Sequence, residues 1–311
     1  MTYSTPGGRA ASIAYGGGYL AIWAGATAYL YAHKADWTFP LISLGVFGVV
    51  LSGLAWGLTR KARPGLIEVR RPGLELGAVL AYLAVYAVVF LGWGMGALRE
   101  AVPAGQGQDL AVLAVKLAVH VVGPALLLTA LGARLWPLAG GAAAAKGFWP
   151  PLIVLGLLLL GLLSVVSPSL KQIAALHPPV QDLVWAAPLA FVWLALEAGL
   201  CEEFLFRAVL QTRLTAVLRN EVGAVVIGAL VFALCHVPGL FLRGAPGVDG
   251  YSTDVVQVMA FTIATLSPIA LMFGLIWART RNLLLVVLLH ACVDVLPQIP
   301  DTLRVWAGLQ A

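Results

Sequence analysis

The chain has 311 residues, of which 61% are hydrophobic and only 11% are charged, whereas soluble domains average roughly 45–50% apolar and about 25% charged residues. So few charged side chains cannot cover a water-soluble globule of this size, which excludes that class of protein. The net charge of +5 does not indicate a nucleic-acid-binding protein, because the basic residues stand singly or in short runs and form no basic face interleaved with aromatics. Lipid is therefore the predicted solvent of this chain.

Nine apolar stretches follow one another along the chain, and each approaches or exceeds the roughly 20 residues that a membrane helix needs. The first has no convincing cleavage site after it, so we expect it to be retained, as a span or as an interfacial helix. The last is short and is a candidate re-entrant segment. The prediction is an all-α polytopic integral membrane protein with eight or nine transmembrane helices. The stretches cover residues 10–31, 38–58, 74–98, 110–135, 148–166, 183–210, 222–240, 255–278 and 283–299.

Lys and Arg residues are distributed unevenly between alternate loops of this arrangement. The N-terminus and the even-numbered loops carry 12 of them, and the odd-numbered loops and the C-terminus carry five. Because cytoplasmic loops are enriched in Lys and Arg, we predict a cytoplasmic N-terminus. The Ala- and Leu-rich composition favours a prokaryotic, multi-pass protein of the plasma (inner) membrane.

Ionisable side chains are concentrated in three of the last four apolar stretches. A charge at the centre of a membrane helix costs roughly 2.5–3.5 kcal/mol even on the scale from insertion experiments, so a chain that keeps several there usually uses them. Such groups serve catalysis, the ion path of a transporter, or hydrogen bonds between helices, and clustering alone does not decide among these. The residues are Glu197, Glu202, Glu203 and Arg207 in the sixth stretch, His236 in the seventh, and His290 and Asp294 in the ninth.

Helical spacing predicts different environments for the two neighbouring glutamates. Glu203 and Arg207 are four residues apart and can pair on one helix face. Glu202 is rotated by about 100° from Glu203 and is left without that partner, which makes it the candidate general base. His290 and Asp294 are also four residues apart, so the carboxylate can orient the imidazole.

A further group of ionisable residues connects the fourth and sixth stretches. Lys116 and His120 are four residues apart and can pair with Glu197. Glu197 is one α-helical turn from Cys201 rather than from Glu202, so we place it outside the predicted catalytic set. A structural contact within the membrane is the expectation, with a functional role as the alternative.

Three short motifs occur in order in the last part of the chain. Residues 202–207 read EEFLFR, residues 232–236 read FALCH, and residues 290–294 read HACVD, which match the patterns EExxxR, FxxxH and HxxxN/D. Each motif lies in a hydrophobic helix. Together they resemble the CPBP family of intramembrane proteases, which includes the CAAX prenyl endopeptidase and bacterial relatives linked to bacteriocin processing and self-immunity.

The resemblance implies a role for each motif residue. Glu202 would activate a water for attack on a peptide carbonyl, and His236 would hold and polarise that water. His290 and Asp294 would stabilise the developing oxyanion. Many relatives have Asn at the last position, and since an ionised Asp cannot donate a hydrogen bond, Asp294 is either protonated or acts by orienting His290. The supporting residues are the pair Glu203 and Arg207, and Phe232, which lies one turn before His236 and can pack beside it.

Two other hydrolytic mechanisms draw on the same part of the chain. A zinc protease could use Glu202, His236 and His290 as ligands, but no HExxH is present and these residues come from three separate helices. The family resemblance implies a site without metal or cofactor. A cysteine nucleophile is the second alternative. The three cysteines adjoin motif residues but point away from the motif face, and we expect them to be small apolar packing residues. They are Cys201, Cys235 and Cys292.

The predicted function is hydrolysis of a peptide bond in a membrane-associated protein or peptide by a glutamate-activated water. Candidate substrates are CAAX-like proteins, peptide precursors and C-terminal sorting signals. The alternatives are non-enzymatic: a transporter with a buried charge relay, or an inert immunity or assembly partner. We predict one membrane domain, residues 1–311, with motif-free helices in 1–182 and a catalytic core of the last four helices in 183–299. The expected partners are the membrane-anchored substrate and the lipid bilayer, and no nucleic acid.

Overall fold

Helices form the fold of the residues that the computed structural model describes, which are 6–65, 67–135 and 145–310, and no strand occurs among them. Eight of these helices are long and apolar enough to cross a membrane. The chain is therefore an all-α, multi-pass integral membrane protein, and the number of candidate spans among the described residues equals the lower of the two predicted numbers. The helices are α1 (Pro6–Ala32), α2 (Thr38–Leu58), α3 (Pro72–Ala101), α4 (Gln106–Ala130), α5 (Trp149–Val166), the short α6 (Ser169–Ala175), α7 (Val180–Leu218), α8 (Glu221–Arg243), α9 (Val255–Thr280) and α10 (Leu283–Trp306).

The first helix, α1, has 27 residues but is not one of the eight candidate spans. It packs along α9 through two buried polar contacts. The Tyr19 hydroxyl lies 2.9 Å from the Ser267 hydroxyl, and the indole of Trp23 donates to the carbonyl of Ala264 at 2.9 Å. These contacts attach α1 to the body of the protein.

The helices α9 and α10 lie at the centre of the molecule. In the most apolar 18-residue segment of each helix, 61% of the residues of α9 and 56% of those of α10 are buried. The corresponding fraction in the other six candidate spans is 17–28%. The outer helices present apolar side chains to their surroundings, as Val88, Trp93 and Val165 illustrate. A surface of this kind is suited to lipid, because a soluble monomer rarely exposes large contiguous apolar patches.

A seam of small and branched apolar residues, spaced four apart on each helix, joins α7 to α10. Small residues let two membrane helices approach closely. At Gly199 of α7 an added Cβ would lie 2.6 Å from the backbone oxygen of Val287 in α10. The backbones are therefore in direct contact beside the motif residues. The seam consists of Ala186, Ala190, Leu194 and Ala198 from α7, and Ala291, Val295, Ile299 and Leu303 from α10.

Two of these helices are longer than the hydropathy pattern predicts. The helix α7 has 39 residues, and α10 has 24 residues and continues to Trp306. The last apolar stretch is therefore part of a helix that is long enough to cross a membrane. Pro297 and Pro300 lie inside α10 without ending it, because Ile299 and Leu303 remain buried against α7 and hold the helix in place.

The helices that carry the motifs are irregular near the motif residues. The segments Ala195–Leu200 and Glu203–Gln211 of α7, on either side of Glu202, are π-helical. Such turns occur frequently at functional sites. The helix α8 is interrupted at His236, two residues before Pro238, which has no backbone N–H to continue the helical bonding.

Candidate active site

The predicted pair of Glu203 and Arg207 is formed inside α7. Arg207 Nε lies 3.2 Å from Glu203 Oε2, and the two side chains are 3% and 0% exposed. The guanidinium also lies over the ring of Phe232 in α8, 4.4 Å from its centroid. Each charge is thus compensated in the protein interior, where an unpaired charge would be costly. This contact confirms the prediction, made from their four-residue spacing, that Glu203 and Arg207 pair.

His290 of α10 is held between carboxylates from two helices. Its Nδ1 lies 2.7 Å from Glu203 Oε1, and its Nε2 lies 3.2 Å from Asp294 Oδ2. The ring stacks on Phe273 of α9 at 5.2 Å between centroids. Because ionised carboxylates only accept hydrogen bonds, these contacts need a proton on both ring nitrogens or on one of the carboxyl groups. Spacing predicted the Asp294 contact, but the Glu203 contact joins two helices and was not predicted.

Glu202 is the less enclosed of the two neighbouring glutamates. Its side chain is 17% exposed, and its Oε2 lies 3.7 Å from His290 Nε2, beyond hydrogen-bond distance. Within the described part of the chain it forms no ion pair with Lys or Arg. The structure therefore agrees with the prediction that rotation of about 100° per residue separates Glu202 from the Arg207 pair.

His236 stands at the interruption of α8, and its Nδ1 lies 2.9 Å from the carbonyl oxygen of Phe232. A carbonyl can only accept, so Nδ1 donates, and in the neutral ring Nε2 keeps its lone pair. The ring packs on Phe232 at 4.7 Å between centroids, as the sequence predicts. Phe232 also lies 6.4 Å from the His290 ring between centroids, so His236 and His290 flank the same phenylalanine.

A second group of polar residues reaches the site from α3 and α4. Lys116 Nζ lies 2.9 Å from Glu197 Oε1, which confirms that prediction. His120 does not pair with Glu197; its ring bonds to the Tyr86 hydroxyl and to the Lys116 carbonyl, each at 2.9 Å. The prediction for His120 was wrong because the Tyr86 hydroxyl of α3 and the Lys116 carbonyl occupy both ring nitrogens. Tyr86 was missed because a tyrosine in an apolar stretch is unremarkable.

The three cysteines are free thiols, with Cys201 and Cys292 buried and Cys235 partly buried. Their role as packing residues stays a prediction. Among the residues that the structure describes, no group of three or more His, Cys, Asp and Glu side chains is arranged to hold a metal ion.

Residues 184–296 match the family model of the type II CAAX prenyl endopeptidase Rce1-like proteins. The chain carries an Rce1-like domain. This region begins in α7 and ends in α10, so it contains all seven residues of the predicted site. Neither the comparison with curated proteins nor the comparison with solved structures gives a match. The family assignment therefore agrees with the motif resemblance found in the sequence.

Proposed function

We propose that the protein is an intramembrane endopeptidase in which Glu202 is the general base for water. The observation that supports this most is the contrast between two adjacent glutamates. Glu203 is fully buried and is bound by Arg207 and His290. Glu202 is partly exposed and has no partner within hydrogen-bond distance in the described residues. A carboxylate without a strong partner can accept a proton from water, whereas one that is already bound on both oxygens is poorly suited to do so.

The proposed reaction conserves protons and restores the enzyme. Glu202 takes a proton from water while the water oxygen bonds to the carbonyl carbon of the scissile peptide bond. This gives a tetrahedral intermediate with a negative oxygen. The protonated Glu202 then gives its proton to the leaving nitrogen as the carbon–nitrogen bond breaks.

The two histidines take different parts in this scheme. The lone pair on His236 Nε2 accepts a hydrogen bond from the water and orients it towards the carbonyl. The Nε2–H group of His290 donates to the oxyanion, which is most effective in a site that excludes bulk water. We assign Asp294 the role of orienting His290, because its carboxylate lies 3.2 Å from Nε2; the single Nε2–H is then shared between Asp294 and the oxyanion as a bifurcated hydrogen bond. Glu203 holds the other ring nitrogen, and Arg207 balances its charge.

The proposed substrate is a membrane-anchored protein or peptide. Its scissile bond lies in a C-terminal or other flexible segment that can enter the bilayer region. The Rce1-like domain favours the CAAX type. Peptide precursors and C-terminal sorting signals have the same requirement for access to a site between membrane helices. A panel of peptides with a shared sequence, with and without a prenyl group, separates these classes.

The test is cleavage of this panel by the full chain in proteoliposomes. We expect wild type to cleave at least one peptide and Glu202→Gln to lose about 100-fold or more of kcat/KM, in the range of a general base contribution. Glu68→Gln is the matched control, because Glu68 is 63% exposed and far from the motifs in the chain. A chelator should leave cleavage unchanged. Unaltered cleavage by Glu202→Gln would refute the proposed mechanism, and zinc-dependent cleavage would favour the metalloprotease alternative.

A further inference from the structure

The imidazole of His290 has a flat aromatic neighbour in addition to its two carboxylate partners. The Phe273 ring of α9 lies 5.2 Å from it between centroids, and the two ring planes differ by only 16°. Aromatic rings at this separation favour an offset stack over a direct face-to-face arrangement. Phe273 is 2% exposed, so this stack is inside the protein and one face of the imidazole is covered by a rigid ring.

The hydrogen bonds of His290 restrain its ring only weakly in one direction. Glu203 and Asp294 lie next to Nδ1 and Nε2, and the N–H groups of an imidazole lie in the plane of the ring. A shift of about 1 Å along the ring normal bends an N–H···O bond of about 3 Å by roughly 20°, which hydrogen bonds tolerate. The same shift at a reacting centre can cost about 100-fold in rate. A contact on the face of the ring opposes this shift, and Phe273 supplies one.

Phe273 also contacts the cation that balances Glu203. The guanidinium carbon of Arg207 lies 5.7 Å from the centroid of the Phe273 ring, and 4.4 Å from that of Phe232. A cation within about 6 Å of the face of an aromatic ring is attracted to it. Phe273 therefore touches both groups that Glu203 binds, Arg207 and His290.

The backbone that carries Phe273 is attached to α7 by contacts of its own. The Gln211 amide donates to the carbonyl of Gly274 at 2.8 Å, and the Trp277 indole donates to the Thr212 hydroxyl at 3.2 Å. These bonds lie one and four residues after Phe273 along α9. At Gly274 an added Cβ would lie 3.0 Å from Gln211 Oε1, so the two helices are closely packed. The position of Phe273 is thus set independently of His290.

A second attachment lies on the other side of Phe273, where α9 contains Pro268. Proline has no backbone N–H, so the carbonyl four residues earlier, that of Ala264, loses its helical donor. The Trp23 indole of α1 donates to this carbonyl at 2.9 Å. The bonding of α9 is therefore completed at the proline, and the helix is held in place five residues before Phe273.

We propose that Phe273 is a positioning residue of the active site, which holds the His290 ring along its normal so that the Nε2–H group remains directed at the oxyanion. This inference rests on the proposed function, in which His290 donates to the oxyanion. It assigns a part in the reaction to α9, a helix that carries none of the three motifs.

The test compares kcat and KM for peptide cleavage in the wild type, Phe273→Leu and Phe273→Tyr. Phe273→Leu keeps an apolar side chain but removes the flat ring. It should lower kcat by about 10-fold or more and change KM by less than about twofold, because an oxyanion donor acts in the transition state. Phe273→Tyr keeps the ring and should retain kcat within about threefold. If Phe273→Leu does not fold, as judged by thermal unfolding, Phe273→Met replaces it.

Phe148→Leu is the matched control. Phe148 is also 2% exposed, and its ring packs on Trp149 at the start of α5. Its replacement removes a buried ring of the same size and should leave kcat unchanged. Equal losses of kcat in Phe148→Leu and Phe273→Leu would overturn the proposal, as would wild-type kcat in Phe273→Leu. Folded Phe273→Tyr that is no more active than Phe273→Leu would overturn it too.

Histidine NMR spectra test the contact without a substrate. The chain has five histidines, and His290→Gln identifies the signals of that ring in labelled protein. Protons above the face of an aromatic ring are shielded, so Phe273→Leu should move the His290 ring-proton signals to lower field, and Phe148→Leu should not. Unmoved His290 signals in Phe273→Leu would overturn the proposal.

Glu202→Gln, measured in parallel, distinguishes the two levels of inference. If Glu202→Gln cleaves as well as wild type, the proposed function fails, and the role of Phe273 in the reaction fails with it. If Glu202→Gln is inactive and Phe273→Leu keeps the kcat of wild type, only the role of Phe273 fails.

Discussion

Glu202 and Glu203 are neighbours in the chain, but their carboxylates differ in burial and in the partners they contact. Glu203 has no exposed surface and shares its two oxygens between Arg207 and His290. Glu202 faces a partly open space. The i,i+4 contacts of Glu203 with Arg207 and of His290 with Asp294 follow from helix geometry and could be predicted. The bond between Glu203 and His290 depends on how α7 and α10 are placed, and the sequence contains no signal for it.

The Glu203–Arg207 pair should be required for stability as well as for activity. Arg207→Met leaves Glu203 buried next to His290 without its cation, and removing one partner of a buried pair typically costs about 3–5 kcal/mol. We expect a loss of this size in the free energy of unfolding, measured by reversible unfolding in detergent. Glu203→Gln/Arg207→Met should regain most of that stability while remaining inactive.

The control for this prediction is Arg70→Met, which breaks an exposed pair with Glu68. Surface pairs contribute about 0–1 kcal/mol, so the control should unfold almost like wild type. Equal losses in Arg207→Met and Arg70→Met would show that the buried pair is not a stabilising contact.

At the scale of elements, the site depends on the close approach of α7 and α10. Gly199 is the residue of α7 that touches the backbone of α10, and it lies three residues before Glu202. The two helices carry Glu202 and His290, whose side chains come within 3.7 Å of each other. A change in the distance between the helices therefore changes the separation of the two groups that the proposed mechanism needs together.

Gly199→Ala should reduce activity more than stability. Its Cβ would lie 2.6 Å from the Val287 carbonyl oxygen, so α7 and α10 must separate. A misplacement of about 1 Å can cost about 100-fold in rate, and we expect a loss of that order in kcat. The control is Gly161→Ala in α5, where no atom lies within 4 Å of the added Cβ and the substitution should favour the helix by up to about 1 kcal/mol. Similar kcat values for the two variants would contradict the proposed importance of this contact.

Contacts between helices set the limit of what spacing arguments can predict. A spacing of four residues gave the correct partners for Asp294 and for Arg207, the latter although Glu203–Gln211 is π-helical. It did not give the partner of His120, because that ring bonds to Tyr86 of α3. Which helix supplies a partner depends on packing, so the sequence alone does not reveal it.

On the scale of the whole molecule, the two most enclosed helices, α9 and α10, lie between the others. α10 carries two of the site residues, and α9 supplies Phe273, which packs on His290. The alternation of basic and less basic loops along the chain predicts how this bundle is oriented in the membrane. The loop between α2 and α3 holds the largest group of basic residues: Arg60, Lys61, Arg63, Arg70 and Arg71.

The orientation can be tested by labelling single cysteines in intact cells, in a variant that lacks the three native cysteines. Because loops rich in Lys and Arg remain in the cytoplasm, Arg63→Cys should react with a membrane-impermeant maleimide only after permeabilisation. Val248→Cys, in the loop between α8 and α9, should react without it, since Val248 is exposed. The reverse pattern would contradict the predicted cytoplasmic position of the basic loop between α2 and α3.

The sequence by itself determined the solvent, the fold class and the residues that are proposed to bear chemistry. Hydrophobic length and composition suffice to identify membrane helices, and contacts within one helix follow from its regular geometry. The tertiary structure decided which helices meet and what surrounds each carboxylate. The contact of Glu203 with His290 depends on the packing of α7 against α10, and that of Tyr86 with His120 depends on the packing of α3 against α4. That packing arises from the sum of many contacts distant in sequence, each weak by itself, and no local pattern encodes it.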